Sequence, residues 1–504
     1  MDIDETEKDI SPTSNSSGIN IKLDGIDIGT EHLERKELVT KLATLVEDKT
    51  FVLLSSPAGS GKSSLFKLYK HHVKGKKVIG ISCLTDDSGF DLLSRVGIDI
   101  HHGSTTLTAD SVIFIDDAQA KYEEVSFWGQ LIKSSGLWLP NNIRFIISAT
   151  HSMNGGKESP VEFSSLPKLQ RDDFLLSKEE SYEFLNLRDI GLPRNLNTQK
   201  VEDLLVNECG GLIAALRLSV DSLTERFRKD LQPAESIVFD HCLSQTFVDR
   251  MARCFGSNHS KPIGTKFKEF LKKCFADEMN AFNDQDNVDD ALSYSWLKKS
   301  GILVETPNSA FTFSSPLAKR YYSSWIFPKR SQDNPATLDD LIKKVIASMS
   351  SSVLKNSTSP RDFPKEATFQ HLFMEGIANS TTPNCSICPE LSKIFPNETS
   401  GTWERIPGEI DFYLNSSLRW GIELLVNGKG ISEHIDRFGE NGKYFPLRAS
   451  DYVVVDLRGN DSGQVTQIVP HSNRISVFFK LGDFTSCKCI FRMEDQIVDI
   501  YLMN

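Results

Sequence analysis

Residues 56–64 read Ser-Pro-Ala-Gly-Ser-Gly-Lys-Ser-Ser. These residue types suit one task, the cradling of a chain of phosphates. Gly59 and Gly61 let the backbone come close to an anion and turn its N–H groups inward. Lys62 supplies a charge for the β- and γ-phosphates, and the Ser63 hydroxyl a ligand for Mg²⁺. Ser56, Ser60 and Ser64 complete the candidate nucleotide-binding set. Ser56 stands where such loops usually open with glycine, a position whose turn accepts another small residue. Two downstream stretches extend the reading. SVIFIDDAQ (111–119) is an apolar run ending in two carboxylates. Asp116 is suited to hold Mg²⁺ through Ser63, and Asp117 to polarise an attacking water. RFIISAT (144–150) ends in Ser148 and Thr150, hydroxyls placed to sense the γ-phosphate.

A second set of candidates lies near the other end, in GEIDFYLNSSLRWGIELLVNGKGISEHIDRF (408–438). Two strands joined by Asn-Ser-Ser would place Asp411 and Glu423 on neighbours. Paired carboxylates of this kind hold Mg²⁺ and activate water against a phosphodiester. Glu366, on a predicted amphipathic helix, can complete the metal set, with Gln370 one turn on. Lys429 in the following turn, and His434 and Arg437 at i, i+3 on the next helix, are the basic groups within reach. Lys429 and His434 are the candidates for stabilising charge on the phosphate. Solvated charges on a hairpin and on a helix face are the simpler alternative.

The elements that must carry these residues follow from periodicity. Residues 34–47 repeat as a helix. Short apolar runs at 50–54, 77–83, 111–115 and 143–148 alternate with helical stretches, which predicts a parallel doubly wound α/β sheet. The phosphate loop then follows a strand and opens a helix (63–72), so an anion would sit on a helix N-terminus. Helices are expected through 176–230 and 238–300. The order helix, strand, turn, strand, helix over 296–325 fits a winged-helix unit or any small α+β element. Residues 351–364 are Ser/Pro-rich and read as a linker. Beyond it a separate α/β domain is expected, with helices at 365–377 and 431–438 and strands at 409–414, 419–426, 451–457, 474–481 and 488–502. The expected organisation is thus a disordered tail (1–30), a nucleotide-binding core (31–170), a helical lid (171–245), a winged-helix-like region (246–350), a linker (351–364) and a C-terminal domain (365–504).

Bulk properties narrow the field. The chain has 504 residues, enough for several domains, and its 39% hydrophobic and 25% charged residues suit a globular protein. No apolar run approaches the length that spans a bilayer, and the polar, acidic first 30 residues lack the features of a signal peptide. A net charge of −11 argues against a general polyanion binder. Residues 250–330, however, hold 13 Lys/Arg against 8 Asp/Glu, and residues 361–504 hold 14 against 19. A nucleic-acid surface is therefore expected to be local and central. Nine scattered cysteines suit a reducing compartment. Cys385/Cys388 and Cys487/Cys489 have the count for zinc, but ordinary thiols are the reading favoured by the irregular spacing.

The loop, SVIFIDDAQ and RFIISAT resemble the AAA+/STAND branch of Walker A P-loop NTPases. EHLERKELVTKL (31–42) resembles that branch's adenine-side helix, which implies Arg35 near the base. ECGGLIAAL (208–216) is similar to its lid glycine motif, without the usual proline. The order helix-Glu, strand-Asp, strand-Glu resembles the PD-(D/E)xK restriction-endonuclease-like superfamily, with Leu425 where a lysine normally stands. The two together, with the ELL…G…EH..RF string, resemble the Crinkler/RHS-type effectors. That resemblance implies ATP and Mg²⁺ as cofactors and an NTPase governing a DNA endonuclease. Its implied partners are nucleotide and DNA, with no membrane, with self-association open. Its implied location is a nucleus, reached by secretion into a host or within the producing cell. The ubiquitin-like header of full Crinklers is missing from the first 30 residues. A STAND-type switch bearing an inactive nuclease fold is the alternative.

Overall fold

The computed structural model describes residues 25–151, 163–230, 232–255, 301–305, 310–329, 331–358, 363–389, 410–428, 430–440, 442–459, 471–492 and 496–504, with isolated positions between 268 and 297. Helix α1 (Lys36–Asp48) buries Leu38, Val39, Leu42 and Val46, a single stripe at helical spacing. Strand β1 (Phe51–Ser55) follows, then α2 (Lys62–His72), β2 (Lys77–Ser82), β3 (Ser111–Asp116), β4 (Ile143–Ala149) and β5 (Lys168–Gln170). These strands form a five-stranded sheet in the order β2-β3-β4-β1-β5, and all its pairings are parallel.

Alternation along the strands divides the core into two layers. Leu53, Ile113, Ile115, Phe145 and Ile147 face one cluster, with Phe127 and Trp128. Val52, Leu54, Val112, Phe114 and Ile146 face the other, with α1 and α2. Phe66 of α2 stacks on Phe114 at 3.9 Å. Burial on both faces explains why these strands read as continuous apolar runs. The chain leaves β1 for the far edge, builds back to β4, and then crosses β1 to add β5. The carboxyl ends of β1, β3 and β4 therefore meet at one edge, at the point where strand order reverses, which is where ligands of such sheets sit.

Helices α3 (Lys178–Leu185), α4 (Gln199–Cys209) and α5 (Ile213–Arg226) follow. Short strands β6 (Met279–Asn280), β7 (Leu303–Glu305) and β8 (Ala310–Phe313) pair antiparallel in the order β6-β8-β7, and α6 (Pro316–Ile326) comes next. Two paired strands and the following helix of the expected winged-helix order are present; the segment between the strands and most of the first helix lie outside the described residues. Helix α7 (Leu338–Ala347) leads to the expected linker, which is instead helical over α8 (Ser351–Asn356). The Ser350 hydroxyl caps α8 by accepting from Val353 N, and Leu354 is fully buried.

The C-terminal sheet has seven strands in chain order: β9 (Ile387–Pro389), β10 (Phe412–Leu414), β11 (Trp420–Val426), β12 (Asp451–Gly459), β13 (Arg474–Phe479), β14 (Ser486–Ile490) and β15 (Ile497–Tyr501). The three central strands β11-β12-β13 are parallel, and the outer ones antiparallel. The run expected as one strand at 488–502 is thus parts of two. Helix α9 (Glu366–Ser380) packs against α7, where Gly376 leaves no room for a side chain beside Val345. Helix α10 (Ile431–Asp436) covers part of β12. One continuous apolar cluster runs from α4 and α5 through α6 and α7 into this sheet. No helix among the described residues is long and apolar enough to cross a membrane.

Candidate phosphate loop and acidic cluster

Gly59 (φ +75°) and Gly61 (φ +96°) turn the loop between β1 and α2 through the left-handed region, which a side chain would strain. Lys62 opens α2 and curls back, its Nζ donating to the carbonyls of Ser56 (2.6 Å) and Pro57 (3.0 Å). Burial pulls its amine down to about 8, against the opposing pull of Asp116 and Asp117. Ser63 Oγ donates to Asp116 Oδ2 at 2.9 Å. Asp116 lies at the tip of β3, so the two expected Mg²⁺ ligands, 53 residues apart, are brought together.

Ser148, expected to sense phosphate, instead donates to Asp116 Oδ1 at 2.8 Å and is fully buried. Thr150 lies at the same edge. Its N–H donates to Gln119 Oε1 (3.1 Å), and Gln119 donates in turn to Asp117 Oδ1 (3.2 Å). Asp117 sits in the left-handed region (φ +54°), a strained conformation of the kind that gathers at functional sites. The hydroxyls of Ser56 and Ser60 are buried without hydrogen-bond partners, and Gly25 packs on Ser64. Orphaned hydroxyls, a glycine cradle and a lysine bound only to carbonyls form a donor set suited to an anion.

The mouth of the loop is covered from two sides. Ala214 N of α5 donates to Gly59 O at 3.2 Å, and Ile213 lies over Gly61. Pro57 touches Gly301, ahead of β7. Arg35, which the family resemblance sets near the base, is held by residues 174–180. Its guanidinium binds Glu180 at 3.1 Å and the carbonyls of Phe174 and Leu175 at 2.7 and 3.0 Å, tying the start of α1 to α3 and the segment before it.

At the second set, the β10–β11 register pairs Phe412 with Ile422, so one step further Asp411 falls opposite Glu423. Both are buried. Asp411 Oδ2 accepts from Leu424 N and Oδ1 from Gln370 Nε2, each at 2.6 Å. Burial drives the Asp411 carboxyl well above the usual carboxylate range, and the charges of Glu366 and Glu423 add to the rise. Glu366, first residue of α9, is raised by burial and by Glu423, with His434 opposing. The structure thus gathers Glu366, Gln370, Asp411, Glu423 and His434 in one place.

Sequence spacing did not reveal what holds Glu423. His434 Nδ1 bonds its Oε2, and Arg437 Nη1 lies 3.5 Å from Oε1. Tyr444, fully buried, stands beside the same carboxylate. Leu425 shares Glu423's face of the sheet and pairs in register with Asp456, which Arg458 binds at 2.7 Å. Lys429 lies outside the described residues. Among the described residues, no group of three or more His, Cys, Asp or Glu is arranged to hold a metal. That includes the cysteines. Cys487 and Cys489 lie 3.7 Å apart, while Cys388 contacts Leu243 O elsewhere, and all nine are buried.

No family model matches the chain, and no curated protein matches it. Among solved structures it is similar to the Walker-type ATPase PABY2304 of Pyrococcus abyssi, at 15% identity and a TM-score of 0.37 over 56% of this chain and 94% of that one. It is also similar to the Aeropyrum pernix ORC2 protein (12% identity, TM-score 0.36, 61% and 96%) and to Thermotoga maritima RuvB (15%, 0.32, 55% and 90%).

Proposed function

We propose that the chain binds and hydrolyses a nucleoside triphosphate, ATP, at residues 56–64 and thereby governs a Mg²⁺-dependent phosphodiesterase centre acting on DNA. The observation that carries the first part is the Ser63–Asp116 contact at the carboxyl edge of a parallel sheet, beside a lysine that bonds only loop carbonyls. Lys62 and the loop N–H groups would hold the β- and γ-phosphates, and Ser63 and Asp116 the Mg²⁺. That ion neutralises phosphate charge when bound. Asp117, fixed by Gln119, polarises the attacking water, and Thr150 stands near the same edge. Lys62→Ala should weaken nucleotide binding roughly tenfold to 150-fold, the worth of a charged hydrogen bond. Unchanged affinity in a fluorescent-nucleotide titration would refute the assignment.

The second part is supported by the mutual charge influence of Glu366, Asp411 and Glu423, with a positive side chain within 3.5 Å of Glu423; as they stand these carboxylates are not arranged to hold a metal, and Mg²⁺ binding would require them to regroup. The expected result is plasmid scission by wild type with Mg²⁺ and ATP, lost in Glu423→Ala. Equal behaviour of the two proteins sinks the nuclease. An effector of Crinkler/RHS type acting in a nucleus is the biological setting we propose, and a fluorescent fusion excluded from nuclei would count against it. A second reading is favoured by one observation, the occupation of Glu423 by His434 and Arg437. In that reading the NTPase is a STAND-type switch, and the nuclease-like sheet binds DNA or protein without cutting.

A further inference from the structure

Strand β15 closes one edge of the C-terminal sheet, and among the described residues β14 is its strand partner. Leu502 N donates to Thr485 O at 3.0 Å, so Val498, Ile500 and Leu502 turn their backbone groups toward β14. Ile497, Asp499 and Tyr501 therefore turn theirs outward. Met503 continues that row, but its groups are taken. Its N–H donates to Met349 O at 2.9 Å, and its carbonyl accepts from Ser351 N at 2.8 Å. The open edge is thus Ile497 to Tyr501, stopped at one end by the segment between α7 and α8.

The side chains do little to guard this edge. Sheet edges are ordinarily protected by charges, proline or a covering segment. Here one exposed acid, Asp499, stands between Ile497 and Tyr501, the latter 78% exposed. With Met503 and Val353, these two make up half of the large apolar side chains left exposed among the described residues. Such a concentration marks an interaction surface. On the opposite face Val498 and Ile500 pack against the main core. A second copy of β15 is a poor occupant. Antiparallel pairing centred on Asp499 sets two carboxylates opposite each other, which is destabilising. A register two residues further on sets Ile497 against Met503, whose backbone is already bonded. The register two residues back leaves Tyr501 beyond the start of the other strand.

We propose that β15 receives an extended segment of a partner protein in which Lys or Arg stands between two apolar residues. The segment adds to the sheet as a further strand and exchanges backbone hydrogen bonds with Ile497, Asp499 and Tyr501, which sets its length at about five residues. Its basic side chain lies opposite Asp499. Lys488 stands opposite Asp499 on β14, so the charges alternate in sign across the three strands. The two apolar residues fall on the other face, beside Val498 and Ile500, and lengthen the core. This surface is independent of both phosphate sites.

The test uses the full chain and two fluorescent peptides, Thr-Val-Lys-Val-Thr and Thr-Val-Glu-Val-Thr, whose sequences read the same in either direction. Binding is followed by anisotropy. Wild type should bind the Lys peptide roughly 2- to 30-fold more tightly than the Glu peptide, twice the worth of one charged cross-strand pair. Asp499→Lys should invert that preference over the same range. Tyr501→Pro removes an outward N–H and no bond to β14, so it should lose both peptides while the sheet survives. A thermal melt checks survival, and Asp499→Lys carries the test if Tyr501→Pro melts early. Equal affinity of wild type for the two peptides, or binding that a folded Tyr501→Pro leaves unchanged, overturns the proposal. So does self-association of wild type in sedimentation that Tyr501→Pro abolishes, since that gives the edge to a second copy.

Discussion

Lys62 shows how one residue couples burial to ligand chemistry. Its amine is held at about 8 because burial outweighs Asp116 and Asp117. A free lysine keeps its proton to about pH 10.4. Between those values the empty loop holds a neutral amine, and a bound triphosphate must draw a proton back. Nucleotide affinity should therefore fall as pH rises above about 8, by up to about tenfold per pH unit. Lys62→Arg, charged throughout, should flatten that profile in a titration series. Local spacing made this residue legible, since the loop lies within nine positions. The partners of Glu423 were less so. His434 and Arg437 stood in the sequence as a basic pair, but nothing in a helix repeat says that they point at a buried acid on a strand. Arg35 illustrates the same limit, because its partners lie about 140 residues away.

At the scale of elements, α4 and α6 are joined by Glu208 and Arg320, an ion pair almost wholly removed from water. Arg320 Nη2 also donates to Cys242 O at 2.9 Å. Arg320→Met alone should destabilise the protein by about 3–5 kcal/mol, because it strands the acid. Glu208→Leu with Arg320→Met should recover most of that loss. Denaturant melts of the single and double variants check both outcomes. The two residues are 112 positions apart, so no pattern in the chain paired them. Long apolar strands such as β3 and β4 were legible from their runs. Strands β5 and β9, three residues each, were not, because so short a segment has no period to read and is fixed by its neighbours. The Ser/Pro-rich stretch misled for a related reason. A serine that breaks a helix interior also caps its start, and Leu354 anchors the turn that follows.

Over the whole molecule, the phosphate loop is enclosed by segments far away in sequence. Gly301 (φ +75°) has no space for a Cβ, which would fall 2.2 Å from Pro57 Cγ. Gly301→Ala should cost more than about 1–2 kcal/mol in stability, the left-handed strain alone, and should also weaken nucleotide binding. A fluorescent-nucleotide titration beside a thermal melt separates the two effects. The alternation of apolar runs with helical stretches was enough for the class, an α/β chain with more than one sheet. It did not show that the helices and the C-terminal sheet share one core, because continuity of packing is not written in any single segment. The order of the first sheet has a consequence for synthesis. Among the described residues, strand β1 is flanked in the sheet by β4 and β5, and both are made much later. While the ribosome adds residues 56 to 142, Phe51–Leu54 has no partner strand to cover its backbone. The nascent protein should therefore call on a holdase until Ile143–Ala149 leaves the exit tunnel.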